Sequence, residues 1–131
     1  MTVLVVDGAN VVGSRPDGWW RDRAGAAARL ATRLGAASAA GLLDPLGAPS
    51  RVVLVVEGAA RAAEVEPVAG LSLLRAPADG DAAIVDLVGE LVAGGERVLV
   101  VTADRGLRSR VTEAGGEVVG PGVLLRALDA L

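Results

Sequence analysis

Three stretches of the chain are continuously apolar and rich in β-branched residues: Val3–Val6, Val52–Val56 and Val98–Val101. A short apolar run without polar alternation reads as a strand covered on both faces, the usual state of a strand in a parallel sheet. Leu71–Arg75 and Glu117–Val119 predict two shorter strands. Between these runs the period lengthens to that of a helix. Leu30, Ala31 and Leu34 mark an apolar stripe within a helix from about Asp22 to Ala40. Ile84, Leu87, Val88 and Leu91 mark another, opened by Asp79 or Asp81 and stopped at Gly94-Gly95. A third helix spans about Leu107 to Ala114. A last one starts at Pro121, a good first helical residue, and carries Leu124, Leu125, Leu128 and Leu131 on its apolar side. Val11–Trp20 and Gly41–Ser50 read as connections. Ala59–Val68 fits either a loop or a short helix ending near Pro67.

Strands that alternate with helices imply right-handed crossovers, hence a parallel sheet with helices on both faces. The expected strand order is 3-2-1-4-5 within one α/β domain over residues 1–131. No internal repeat or linker interrupts it. That order sets the first and fourth strands side by side at the switch point, where open α/β sheets bind ligands beyond the carboxyl ends of their strands.

Composition narrows the chemistry. Apolar residues make up 52% of the 131, enough for a core and too many for a disordered chain. No run approaches the roughly 18 apolar residues of a membrane span, and Asp7 interrupts the only apolar run near the start, unlike a signal peptide. Cysteine is absent, so disulfides and thiolate metal sites are excluded; a cytoplasmic protein is expected. Histidine, lysine, phenylalanine, tyrosine and glutamine are also absent, Asn10 is the sole asparagine, and every basic residue is arginine, a bias typical of GC-rich coding. Ser-His-Asp or Cys-His machinery, Schiff bases, lysine-assisted phosphoryl transfer and histidine-bound zinc are therefore out of reach. Carboxylates remain, and these suit Mg²⁺ or Mn²⁺. A net charge of −3 argues against strong non-specific nucleic-acid binding. It leaves room for an acidic pocket neutralised by metal and flanked by arginine.

Three acids are expected at the switch point. Asp7 ends the first strand, Asp104 follows the fourth, and Asp81 lies three residues before Ile84, on the sheet-facing side of the middle helix. Asp79 and Glu57 are second candidates. Carboxylates crowded without counter-ions repel, and a divalent cation resolves the repulsion. Each acid also has a plainer role available, since Asp79, Asp81 and Asp104 all stand where a helix N-cap belongs. Asn10 is expected to position a ligand or water, or to serve as a turn residue. Arg15, Trp19, Thr102 and Arg105 are candidates for substrate contact. Trp19-Trp20 suit base stacking or coverage of a core edge, and Arg105 and Arg108 suit phosphate contact or a solvated helix face. G-x-G-x-x-G and G-K-[ST] are both missing.

The stretches V-V-D-G-A-N-V-V at Val5–Val12, A-D-G-D-A-A-I-V at Ala78–Val85 and V-T-A-D-R-G-L at Val101–Leu107, in that order across nearly the whole chain, resemble the NYN domains of the PIN-like nuclease superfamily. The resemblance implies a three-layer PIN-like fold and a metal-dependent ribonuclease, an endonuclease hydrolysing RNA phosphodiesters with Mg²⁺ or Mn²⁺. It implies metal ligation by Asp7, Asp81 and Asp104, with Asp79 as an additional ligand candidate, and a catalytic part for Asn10. RNA is the implied partner, without a membrane, and a homodimer is left open. Relatives often carry a further acid where this chain has Val85, which implies a thinner metal set. The alternative is a non-catalytic RNA- or protein-binding module; a nucleotide phosphohydrolase is a third reading.

Overall fold

All five expected strands pair in parallel in the computed structural model, which describes residues 1–131. They are β1 (Thr2–Asp7), β2 (Arg51–Val56), β3 (Leu71–Arg75), β4 (Arg97–Val101) and β5 (Glu117–Val119), in the order β3-β2-β1-β4-β5. β1 is central: Val5 lies opposite Val53 of β2 on one side and Val100 of β4 on the other.

Alternation along each strand divides the core into two layers. Leu4 and Val6, with Val52, Leu54 and Val56, face α2 (Arg23–Ala39) and α5 (Pro121–Asp129), where Ala27, Leu34, Leu124 and Leu128 complete the layer. Val3 and Val5, with Val53, Val55, Val98 and Val100, face α3 (Gly80–Ala93) and α4 (Arg105–Glu113), meeting Ile84, Val88, Leu107 and Val111. Burying each such side chain is worth about 1.5–3 kcal/mol. A slip of β1 by one residue would exchange its two sets of valines and leucines between layers, so the register is strongly specified. The same parity sends Asp7, two residues past Val5, towards the α3–α4 layer. No helix is long and apolar enough to cross a membrane.

One connection differs from expectation, and another resolves a choice the sequence leaves open. The expected loop from Val11 begins instead as a short helix, α1 (Gly8–Gly13). Asp7 caps it by accepting the Asn10 N–H at 3.4 Å, and Val11 is buried against the α2–α5 layer. Residues 14–18 then lead into a 3₁₀ turn at Trp19–Arg21. Within Ala59–Val68 only a 3₁₀ turn, Gly58–Ala62, forms, and no helix reaches Pro67. Arg75 holds this stretch instead, its guanidinium donating to the carbonyls of Arg61 and Ala63 at 3.0 and 2.8 Å. A third 3₁₀ turn, Asp44–Leu46, sits in the connection before β2 and buries Leu46. The remaining helices fall within one or two residues of their expected bounds.

Candidate functional site

Three strand ends and two helix starts meet beyond the carboxyl edge of the sheet. Asp7 terminates β1 and is 7% exposed; Thr102, directly after β4, is fully buried. Glu57 follows β2 and is half-buried. In sequence parity these residues continue the α3–α4 side of their strands, beyond Val5, Val100 and Val55 respectively. Asp79 caps α3 and Asp104 caps α4 from that same layer.

The contacts form one network. The Thr102 hydroxyl donates to Asp7 Oδ2 at 2.8 Å and accepts the Asp104 N–H at 3.2 Å. Asp104 Oδ1 accepts the Leu107 N–H at 2.9 Å, and Asp79 Oδ1 accepts the Asp81 N–H at 2.9 Å. Glu57 Oε2 accepts the Gly80 N–H at 2.8 Å, so two acids, Glu57 and Asp79, satisfy the first turn of α3. Asn10 Oδ1 accepts the Ala103 N–H at 2.8 Å. That bond ties α1 to the turn carrying Asp104 through the Asn10 amide oxygen. Gly8 is needed here for space: a Cβ on it would lie 2.5 Å from the Val55 carbonyl oxygen. Only glycine lets α1 leave β1 so close over β2.

No ion pair involves Asp7, Glu57, Asp79, Asp81 or Asp104. Burial pushes the Asp7 carboxyl above its ordinary range. Its bonds from Thr102 and the Asn10 N–H pull it back, and the charges of Glu57 and Asp104 raise it again. Half-buried Asp81 is raised by burial first, then by Asp104, Asp7, Asp79 and Glu57 in turn. Asp81 thus feels all four other acids, which locates the five in one electrostatic cluster. The donors are of the hard oxygen class that Mg²⁺ and Mn²⁺ prefer. As the side chains stand, no three of the acids enclose a common point at coordinating distance.

The sequence candidates for substrate contact separate here. Thr102 is at the centre of the network. Arg105, next to Asp104, is exposed and makes no ion pair. Arg108 reaches back towards the Thr102 carbonyl at 3.5 Å. Arg15 is engaged elsewhere, in a two-point pair with Asp129 of α5 at 3.1 and 2.7 Å that Arg33 joins at 3.3 Å. Trp19 is half-buried and lines a cavity next to the acids, whereas Trp20 is 52% exposed. Sequence reasoning ranked Glu57 second and did not single out Arg23, which lines the same cavity. The signal for Glu57 was present: β2 repeats the β1 pattern of an apolar run, an acid and a glycine. Arg23 carries no such signal.

No family model matches the sequence, and no curated protein matches it. The fold is similar to solved structures of Rae1 (YacP) from Bacillus subtilis. One superposes with a TM-score of 0.74 at 19% identity, covering 99% of this chain and 75% of that one. A tryptophan-to-leucine mutant of the same protein gives a TM-score of 0.68 at 20% identity, covering 99% and 76%. At such identities the likeness shows the fold alone, a five-stranded parallel sheet with helices on both faces.

Proposed function

We propose that this chain is a metal-dependent ribonuclease that hydrolyses RNA phosphodiester bonds at the Asp7–Asp81–Asp104 site. The observation that carries the reading is the convergence of five acids, with no ion pair among them, at the switch point of a PIN-like sheet. Holding several carboxylates together without a counter-ion is unfavourable, and such an arrangement is typical of sites completed by a cation. Asp7, Asp81 and Asp104 would hold Mg²⁺ or Mn²⁺, with Asp79 as a further ligand, after rotation of the exposed Asp104 and half-buried Asp81 side chains. When bound, such an ion polarises a phosphoryl oxygen and lowers the pKa of water. The chain's own part is placement. Thr102 fixes one Asp7 oxygen and the start of α4, and Asn10 holds the intervening turn, so Asp7 and the backbone that carries Asp104 are held before substrate arrives. Arg105, exposed beside Asp104, would meet a backbone phosphate.

A second reading, a non-catalytic RNA- or protein-binding module, is favoured by one observation. Asp79 and Asp104 each use an oxygen to cap a helix, and no three of the acids enclose a common point as the side chains stand. The separating experiment incubates identically purified parent, Asp7→Asn and Asp104→Ala with labelled RNAs, single-stranded DNA and nucleoside triphosphates, in Mn²⁺ and in EDTA. The ribonuclease reading expects cleavage of RNA by the parent alone, and only with metal. Equal cleavage by all three would point to a contaminant and overturn it; RNA binding with no cleavage by the parent would favour the module.

A further inference from the structure

We infer that the cavity beside the acid cluster is a nucleobase pocket selective for guanine. This rests on the ribonuclease reading for the presence of an RNA strand, and it specifies which nucleotide of that strand the site takes. The cavity holds about 360 Å³, within the range of about 300–1,000 Å³ usual for small-molecule sites. It lies between α1, the Trp19 turn with the start of α2, and the turn after β2, and is lined by Gly8, Val12, Trp19, Arg23, Val56 and Glu57 among others. Gly8 adjoins Asp7, and Glu57 belongs to the cluster itself. A base in this cavity therefore sits next to the acids, where its own phosphate would be presented.

The walls suit a flat heterocycle. The chain has two aromatic side chains in all, and one of them, Trp19, lines the cavity. Trp20 packs edge-on to Trp19, with ring centroids 6.0 Å apart and planes at 89°. The Arg23 guanidinium lies 4.9 Å from the Trp19 centroid. Bases stack on indole planes, and the alanines and valines of the remaining wall add apolar contact. Only two charged side chains line the cavity, Arg23 and Glu57. Glu57 is held in place by the Gly80 N–H on Oε2, and Oε1 has no protein partner.

These two groups discriminate between bases. An ionised carboxylate only accepts hydrogen bonds, and a guanidinium only donates them. The base that satisfies both offers adjacent donors on one edge and adjacent acceptors on another. Guanine does so, with N1–H and N2–H₂ towards Glu57 and O6 and N7 towards Arg23. Adenine and cytosine would set a ring-nitrogen lone pair against the carboxylate, and uracil would flank its single N–H with two carbonyls.

The test is equilibrium binding of GMP, AMP, CMP and UMP in EDTA, read by isothermal titration calorimetry. GMP is expected to bind at least about tenfold tighter than the others, the discrimination of one good bidentate contact. Glu57→Gln should erase that preference, because the amide presents a donor where guanine also has one. Arg23→Met should weaken GMP about tenfold as well; Arg23 is exposed, so this variant leaves the core intact. Trp19→Ala should lower affinity for all four, with circular dichroism melting to verify the fold. Equal affinities across the nucleotides, or a GMP preference that survives Glu57→Gln, would overturn the inference. The ribonuclease reading fails or stands separately. Guanine-selective binding by a protein that cleaves no RNA keeps the pocket and refutes the nuclease, while metal-dependent cleavage without GMP preference does the reverse.

Discussion

Two carboxylate sites of this molecule treat charge in opposite ways. At the edge between α2 and α5, Asp129 is met by Arg15 and Arg33, and the Arg15 bond holds its carboxyl below the ordinary range. At the end of β1, Asp7 and its four acidic neighbours make no ion pair, and burial and mutual repulsion raise Asp7 and Asp81. The chain has arginines to spare, so the difference is not one of supply. Where an acid serves only to join two elements, it is paired on the surface at little cost. Where acids are gathered and left unpaired, the surrounding valine and leucine core must offset their repulsion, a pattern found where a site exchanges stability for function.

The largest expected contrast is in turnover. Asp104→Ala and Asp7→Asn should each lower RNA cleavage with Mn²⁺ by about a hundredfold or more, in line with loss of a metal-site residue. RNA affinity should change little or rise, since a charge that repels phosphate is gone. Asp129→Asn should leave the rate as it is. If Asp129→Asn matched Asp7→Asn in the cleavage assay, the two sites would not differ in kind.

Next in size is the thermal response to metal. Saturating Mn²⁺ should raise the Tm of the parent by preferential binding to the folded state, worth about 2.7 kcal/mol at a hundred times the Kd. Asp7→Asn should lose this response and Asp129→Asn should keep it. A parent melting curve unmoved by millimolar Mn²⁺ would remove the main support for the metal site.

In EDTA the two sites should give pH dependences of opposite sign. Asp7 is raised, so the folded chain keeps its proton to higher pH than the unfolded chain does. Its contribution is most favourable below the unfolded value of about 3.9, declines as pH rises through the folded value, and is a net cost above it. Asp129 is lowered. Its contribution is present above about pH 3.9 and is lost as pH falls through the folded value. Asp7→Asn should therefore melt above the parent at pH 7 and lose that advantage in acid, whereas Asp129→Asn should melt below the parent at pH 7. Urea or thermal melts from about pH 2.5 to 7, on both sides of the ordinary Asp value, decide it, and a destabilised Asp7→Asn at pH 7 without metal would break the comparison.

The smallest effect concerns salt. The Arg15–Asp129–Arg33 group is about half exposed, so the Tm deficit of Asp129→Asn at neutral pH should be slight. It should vanish at about 1 M NaCl, where screening reaches about 3 Å. A deficit that persists in high salt would mean that Asp129 does more than pair with arginine.

Much of this was legible in the chain. Apolar run length and period are local properties, and they determined all five strands, the four longer helices and the order 3-2-1-4-5, because a parallel sheet with right-handed crossovers leaves few other arrangements. The convergence of Asp7, Asp81 and Asp104 followed from that order, and the pairing of acid with glycine after β1 and β2 was visible as a repeated pattern. Tertiary structure decided how each polar atom is used, since those choices join residues far apart in sequence. Thr102 reaches Asp7 across 95 positions and Asn10 meets the Ala103 N–H across 93. Glu57 caps α3 across 23, and Arg15 leaves for Asp129 across 114. The short helix α1 belongs here too, since it forms where Val11 finds the core and where Gly8 can pass the Val55 carbonyl. Periodicity records which face a residue presents; it carries no record of what faces it. That depends on strand register and helix placement, and these are set by the packing of the two valine-rich layers around β1.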